Sequence, residues 1–255
     1  MTEDGWPTVD GKWSVLEQER LQDRVAGVTG STRGIARAIA EKLGFCGALG
    51  VLQGRDPERL ERAIRKLCGQ GVAVMGKVAE VSNAADTVVQ DSMDRSPEEF
   101  SRIVDINLKG AFYGSQVAAR YLAWRHQGVI LQMGSIFGAV GVRTRVAYVA
   151  SKHALVGLTK ELAGEWGFLG IRVLCLEPGY IKTAFAIPNN RTEEDYTVHD
   201  IEARTPLGRY GSPNEVAQVA AFLVSDDASY MTGITAQVGG GWAFRGGWYP
   251  TPGTS

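Results

Sequence analysis

The chain has 255 residues, 44% of them hydrophobic, which suits a single α/β domain with a substantial core. Its formal net charge of −1 gives no electrostatic reason to expect a nucleic acid or an anionic membrane surface as a partner. No apolar run approaches the roughly 18 residues of a membrane-spanning helix, so the sequence predicts no membrane insertion.

Strands and helices are predicted to alternate along the chain. In chain order they are a strand at 24–30, a helix at 34–43, a strand at 48–52, a helix at 56–68, a strand at 72–75, helices at 96–107 and 111–124, a strand at 129–133, a helix at 148–166, a strand at 171–176, a helix at 212–223 and a strand at 234–238. Because the strands are apolar throughout, we expect a mostly parallel α/β sheet with helices on both faces. This single domain is placed at residues 22–241, between an N-terminal extension (1–21) and a C-terminal tail (242–255).

The N-terminal stretch and the cysteines both indicate a cytoplasmic protein. Residues 1–24 lack the basic and apolar regions of a secretory signal peptide. Cys46, Cys68 and Cys175 are scattered and sparse, which suits a reducing compartment. The three histidines have no ligand spacing with each other or with the cysteines, so no metal site is expected.

A glycine-rich turn near the N-terminus is typical of a dinucleotide site. Thr29-Gly30-Ser31-Thr32-Arg33-Gly34-Ile35-Ala36 follows a predicted strand and opens a predicted helix. Glycines let the backbone approach a pyrophosphate, and the helix N-terminus offers free N–H groups and positive dipole charge. The spacing is GxxxGxA rather than GxGxxG, with Ala36 in place of a third glycine. A turn without ligand remains the alternative for this motif alone.

Two arginines favour NADP(H) over NAD(H). Arg55 stands just past the second strand, where an acidic residue would bind the adenosine ribose of NAD, and neither Gln53 nor Gly54 is acidic. Arg33 lies in the glycine turn itself. Because arginine pairs bidentately with phosphate, the two side chains suit a ribose 2′-phosphate. Solvated surface arginines are the alternative.

Tyr148 and Lys152 form a candidate acid–base pair. Residues four apart on a helix share one face, so the phenol and the ammonium can meet around one ligand. A phenol with a pKa of about 10 needs roughly 3 units of lowering to work near neutral pH, and a nearby ammonium favours the phenolate. Ser135 stands thirteen positions before Tyr148.

The glycine turn, Ser135, Tyr148 and Lys152, in this order, resemble the classical short-chain dehydrogenase/reductase family. The resemblance runs from about residue 21 to 241 and includes Asn107-Leu108-Lys109-Gly110, Pro178-Gly179-Tyr180-Ile181-Lys182-Thr183 and Pro206-Leu207-Gly208-Arg209-Tyr210-Gly211. It implies a doubly wound, Rossmann-like sheet and hydride transfer between NADP(H) and a carbonyl or secondary-alcohol substrate.

The resemblance also implies a role for each matching residue. Tyr148 exchanges a proton with the substrate oxygen, Ser135 holds that oxygen, Lys152 lowers the tyrosine pKa and binds the nicotinamide ribose, and Asn107 holds a relay water. The residues expected to bind the cofactor are Gly30, Thr32, Arg33, Gly34, Ile35, Arg55, Asn83, Tyr148, Lys152, Pro178, Gly179, Ile181 and Thr183.

One stretch departs from the family pattern. Ser82-Asn83-Ala84-Ala85 resembles the family's Asn-Asn-Ala-Gly motif, yet residues 72–81 are too few for a parallel crossover, which needs about a dozen or more. By this reading about 20–25 residues, including one helix, are absent between the third and fourth strands. A rival alignment ends the third strand at Glu80-Val81-Ser82 and loses the fourth strand and the motif instead. The alternative function is therefore a catalytically impaired relative, such as a splice form or a subunit partner.

Substrate and assembly are less defined. Residues 184–205 are mostly polar, which fits a polyol, a sugar-like or a small keto substrate, although Phe185, Ile187 and Tyr196 fit an apolar pocket equally well. Arg143 and Arg145 could attract an anionic substrate. The resemblance implies a homotetramer or homodimer built through the helices at 111–124 and 148–166.

Overall fold

The computed structural model describes residues 20–78, 86–183 and 197–244. Asn83, Phe185, Ile187, Tyr196 and most of both predicted tails lie outside these ranges. The strands are β1 (Val25–Val28), β2 (Leu49–Gly54), β3 (Val74–Val78), β4 (Gly128–Met133), β5 (Ile171–Pro178) and β6 (Thr235–Val238). The α-helices are α1 (Gly34–Phe45), α2 (Pro57–Gly69), α3 (Pro97–Val104), α4 (Gly110–Arg125), α5 (Val146–Trp166), α6 (Val198–Arg204) and α7 (Pro213–Val224).

Side-chain caps and prolines begin several helices where the sequence predicted. Asp56 accepts hydrogen bonds from the backbone N–H groups of Glu58 and Arg59 at the start of α2, and Ser96 caps α3. Ser212 and Glu215 form a reciprocal capping box at the start of α7. Helix α6 was not predicted, although Thr197 and Asp200 form the same kind of box before it.

All described strand pairs are parallel, and they form two three-stranded sheets, β1-β2-β3 and β4-β5-β6. Within the described ranges no strand lies between β3 and α3, and none pairs with the free edges of β1 and β4. Val25 on β1 is 68% exposed. The predicted shortening after the third strand therefore coincides with a break in the sheet.

Helices cover both faces of the second sheet. Val173 on β5 packs in one core cluster with Ala119 of α4 and Leu162 of α5. The next residue, Leu174, points the other way and packs with the buried residues of α1 and α7. That second cluster also contacts Ala26 and Val28 of β1, so α1 and α7 join the two sheets on one side.

The core extends past both predicted domain boundaries. Leu21 is only 2% exposed, and its N–H donates to the carbonyl of Cys46. Trp242, placed by the sequence in the tail, is 3% exposed and packs against Phe137. None of the helices in the described ranges is both long and apolar enough to cross a membrane.

Candidate active site

The glycine turn is fixed to the end of β2 by Gln53. The side-chain oxygen of Gln53 accepts a hydrogen bond from the N–H of Gly30 at 3.0 Å. The backbone N–H of Gln53 donates to the hydroxyl of Ser31 at 3.1 Å. Ser31 is fully buried, and Gly30 and Gly34 have φ angles of +64° and +61°, a region that favours glycine. In the sequence, Gln53 was notable only because it is not an acidic residue, whereas in the structure its hydrogen bonds hold the glycine turn.

The glycine turn lies against the loop that follows β5. A Cβ atom added to Gly34 would lie 3.8 Å from the Cγ2 atom of Thr183, so the glycine turn and the loop after β5 face each other. Arg33 caps α1 without a side-chain hydrogen bond to it, and both Arg33 and Arg55 are exposed. The predicted residues of the two segments therefore meet, as a dinucleotide spanning from adenine to nicotinamide requires.

The loop that begins at Pro178 is packed tightly in place. Gly179 donates its N–H to the carbonyl of Val238, and a Cβ at this position would lie 2.6 Å from the Cα of Gly239. Ile181 pairs with Gly211 in an isolated bridge and is buried, which holds Thr183 against the glycine turn.

Asn107 lies in a π-helical turn, Asp105–Lys109, between α3 and α4. Its Oδ1 accepts from the N–H of Asp86 at 2.9 Å, and its Nδ2 donates to the carbonyl of Asp86 and to the hydroxyl of Ser151. Ser151 in turn donates to the carbonyl of Tyr148 at 2.7 Å. Asn107 thus connects the segment after residue 85 to the helix that carries Tyr148.

Ser135, Tyr148 and Lys152 come together as predicted. Ser135 ends β4 through a short turn, is 6% exposed, and its hydroxyl hydrogen-bonds Tyr148. The Nζ atom of Lys152 lies 5.6 Å from the centre of the Tyr148 ring and donates to the carbonyl of Met133 at 2.7 Å. Lys152 is 4% exposed, so the ammonium is held inside the site.

The electrostatics of this group differ from the expectation. Burial raises the pKa of Tyr148, and the opposing influences are the hydrogen bond from Ser135 and the charge of Arg145 rather than Lys152. Burial also lowers the pKa of Lys152 to about 8. Removal from water disfavours the charged forms of both side chains, so burial acts against the lowering of the tyrosine pKa that the sequence led us to expect from Lys152.

Two ionisable residues beneath the site were missed by the sequence reasoning. Glu177 on β5 is 1% exposed, and burial raises its pKa while a hydrogen bond from Gln237 at 3.0 Å opposes that rise. Burial raises the pKa of Cys175 to about 11, so its thiol stays protonated at neutral pH. The available signal was a glutamate directly after the apolar run Val173–Leu176 of β5. The described residues contain no cluster of three or more His, Cys, Asp or Glu side chains that could hold a metal.

Comparisons with known proteins identify the family of the chain. The family model described as enoyl-(acyl carrier protein) reductase matches residues 61–243. A tropinone reductase homolog of Arabidopsis thaliana is 33% identical, covering 93% of this chain and 96% of the relative. Rabbit (Oryctolagus cuniculus) dehydrogenase/reductase SDR family member 4 is 34% identical, covering 89% of this chain and 96% of the relative.

A solved structure shows the same architecture. The gluconate 5-dehydrogenase of Burkholderia cenocepacia J2315, in complex with NADP and tartrate, superposes with a TM-score of 0.83 at 28% identity, covering 90% of this chain and 98% of that chain. The alignment with the Arabidopsis relative spans 262 positions, whereas the 93% of this chain that it covers amounts to fewer residues. The alignment therefore contains gaps in this chain, which agrees with an internal shortening. The chain belongs to the short-chain dehydrogenase/reductase family of oxidoreductases, which act on alcohols and carbonyl compounds.

Proposed function

We propose that the protein is an NADP(H)-dependent oxidoreductase that interconverts a carbonyl compound and a secondary alcohol, with Tyr148 as the general acid and base. The observation that carries the proposal is the convergence of Ser135, Tyr148 and Lys152 in one buried site, linked through Ser151 to Asn107. The nicotinamide cofactor, when bound, supplies or accepts the hydride.

The side chains divide the proton chemistry among them. The hydroxyl of Ser135 is placed to hold the substrate oxygen beside the phenol of Tyr148, which donates its proton in reduction and accepts one in oxidation. The raised pKa of Tyr148 makes the phenol the resting form, so the free enzyme is prepared to act as an acid. Lys152 contributes positive charge, and Asn107 supports the helix that carries Tyr148 through its hydrogen bond to Ser151.

The preference for NADP(H) rests on Arg33 and Arg55. Both side chains are exposed at the predicted adenine end of the cofactor site, and no acidic residue stands at Gln53 or Gly54. Each charge-assisted hydrogen bond to a phosphate contributes about 1.5–3 kcal/mol, or roughly 10- to 100-fold in affinity. The Burkholderia relative, which is in complex with NADP, supports this preference. The relatives' names, tropinone reductase and gluconate 5-dehydrogenase, leave the substrate class open.

Fluorescence titration of the purified protein with NADPH and NADH tests the cofactor assignment. We expect tighter NADPH binding, and we expect Arg55→Ala to weaken NADPH binding about 10-fold while NADH binding stays unchanged. Arg65→Ala is the matched control, because Arg65 is an exposed arginine on α2 that pairs with Glu61. Equal affinities for the two cofactors would refute the assignment to NADP(H).

Tyr148→Phe tests the catalytic assignment. The variant should bind NADPH normally and lose at least about 100-fold in turnover, since proton transfer typically contributes that much. Substantial residual turnover would remove Tyr148 from the mechanism. Failure of the wild-type protein to bind either nucleotide would favour the alternative of an impaired relative, for which the break between β1 and β4 is the structural reason.

We also propose a homo-oligomer formed through α4, located in the cytoplasm. The exposed face of α4 carries four large apolar side chains, namely Tyr113, Val117, Tyr121 and Trp124, which are 57–78% exposed. Cys46, Cys68 and Cys175 are all free thiols, as a reducing compartment maintains them. Light scattering on the wild type and on Val117→Glu tests the assembly, with dissociation expected for the variant.

A further inference from the structure

An aromatic cluster adjoins the phenol of Tyr148. The ring of Phe137 lies 5.5 Å from that of Trp242, 6.1 Å from that of Tyr180 and 6.4 Å from that of Tyr148, each in an edge-to-face arrangement. Tyr180 and Trp242 also meet at 5.4 Å. These are the separations at which aromatic rings attract one another.

The cluster is built from the segments that carry the catalytic site. Phe137 follows Ser135 by two residues, and Tyr180 directly follows the Pro178-Gly179 turn. Phe137 and Trp242 are 8% and 3% exposed, whereas Tyr148 and Tyr180 keep part of their surface open. A substrate whose oxygen reaches Ser135 and Tyr148 therefore has its carbon skeleton beside aromatic surface.

Aliphatic side chains also adjoin the aromatic cluster. Val140, Val142 and Val149 are partly buried and pack against the cluster. Sugar-like substrates carry several hydroxyl groups, each of which loses a hydrogen bond to water on binding and needs a polar partner. An apolar wall meets that need poorly and favours a substrate with an apolar body.

Two buried hydrogen-bond donors in the cluster have no hydrogen-bond partner among the described residues, the Nε1 atom of Trp242 and the hydroxyl of Tyr210. The ring of Tyr180 touches both residues, at 5.4 Å and 6.0 Å. The guanidinium of Arg204 stacks on Trp242, 4.2 Å from its ring, and helps to fix the indole. Buried donors are nearly always satisfied, so a ligand acceptor is the natural partner here.

We propose that the substrate is a ketone, or the corresponding alcohol, whose carbonyl is attached to or part of an apolar ring that also carries one hydrogen-bond acceptor. The ring packs on Phe137 and Tyr180, and the acceptor receives the hydrogen bond of Trp242. This inference rests on the oxidoreductase function proposed above, and Phe137, Tyr180 and Trp242 are its specificity-determining residues.

Three carbonyl probes compared by NADPH oxidation test the substrate class. Acetophenone has a ring, 2-octanone has the same number of carbons without one, and 5-keto-D-gluconate is a sugar acid. We expect kcat/KM to be about 10-fold higher for acetophenone than for 2-octanone, the size of one aromatic pair, with 5-keto-D-gluconate lowest. Turnover of 5-keto-D-gluconate without turnover of the ring ketone would overturn this inference and leave the oxidoreductase function standing. No turnover of any carbonyl, despite NADPH binding, would overturn both.

Two variants test the residues. Phe137→Leu should lower kcat/KM for acetophenone about 10-fold and leave 2-octanone nearly unchanged, while Phe168→Leu, an aromatic that is 83% exposed, changes neither. Trp242→Phe keeps a ring but removes the donor. It should weaken the preference for 4-acetylpyridine, which has a ring acceptor, over acetophenone, down to the part that follows from the more electrophilic carbonyl of 4-acetylpyridine. An unchanged preference would remove Trp242 from recognition, and NADPH titration reports whether each variant is folded.

Discussion

Replacing Glu177 by glutamine should stabilise the protein at alkaline pH. Glu177 is 1% exposed, its Oε2 accepts from Gln237, and its Oε1 has no hydrogen-bond partner among the described residues. An unmet buried polar group costs about 1–3 kcal/mol, and a charged one costs more. Glutamine keeps the shape and the acceptor for Gln237 but removes the charge, so we expect a gain of about 1–3 kcal/mol at pH 8.

The gain should depend on pH with a defined sign. Because burial raises the folded-state pKa of Glu177, the folded protein holds this proton more tightly than the unfolded chain. Below the ordinary carboxyl pKa both states are protonated, and wild type and variant should have similar stability. As pH rises through the raised pKa, the wild type must bury a charge and loses stability relative to the variant.

Urea unfolding at several pH values between 4 and 8 measures this difference by linear extrapolation. Each kcal/mol also corresponds to about 2–4 °C in Tm for a domain of this size. Glu165→Gln, an exposed position on α5, serves as the control and should change little. A variant less stable than wild type at pH 8, or a difference independent of pH, would show that the charged form of Glu177 is favourably partnered.

Three further outcomes are expected. Gly54→Ala places a Cβ 2.5 Å from the Cγ2 of Thr32, so the glycine turn must shift, and NADPH titration should show a loss of about 10-fold in affinity. The pKa of Lys152 near 8 predicts that kcat/KM falls as the ammonium is lost above about pH 8. The unfolded chain keeps the Lys152 proton to higher pH than the folded protein does, so the free energy of unfolding should rise between pH 8 and 10 in the wild type. Urea unfolding should show no such rise in Lys152→Met. Arg172→Met leaves three backbone carbonyls without their donor and should cost at least about 2 kcal/mol in thermal unfolding, an effect that Arg172→Lys should only partly restore.

Local signals were sufficient where one segment determines its own structure. The strands β1, β4 and β5 are apolar runs bounded by glycine or proline, and the structure has them within a few residues of the prediction. β3 was placed too early because Val72 is apolar. That side chain is buried in the cluster beneath α2 and precedes the strand, which runs over Val74–Val78.

The continuous helical stretch around Asn107 could not be predicted from local pattern. A break was expected before residue 111, whereas a π-helical turn carries the chain from α3 straight into α4. Such a turn depends on what the side chain must reach, here the backbone of Asp86 and the hydroxyl of Ser151, which lies 44 residues away. Periodicity carries no information about contacts of that range.

The order of motifs predicts the catalytic residues, but the contacts that support these residues are tertiary. Gln53 bonds to a glycine 23 residues earlier, a contact that no local pattern reports. The aromatic cluster joins Phe137 to Trp242, which the sequence placed in a tail. The sequence shows which side chains are present in each case, but it does not show that residues far apart in the chain are in contact.

The break in the sheet separates the predicted cofactor turn from the predicted catalytic residues. The glycine turn follows β1 in one sheet, and Ser135 follows β4 in the other, with no described ladder between them. The ion pair from Arg24 to Asp226 also bridges the halves, but exposed pairs contribute only about 0–1 kcal/mol. The packing of α1 on α7 must therefore carry most of the connection, through fully buried side chains such as Val216. Gly34 and Thr183 belong to different halves and are neighbours, so the alignment of the two predicted cofactor-binding segments depends on the same helix packing.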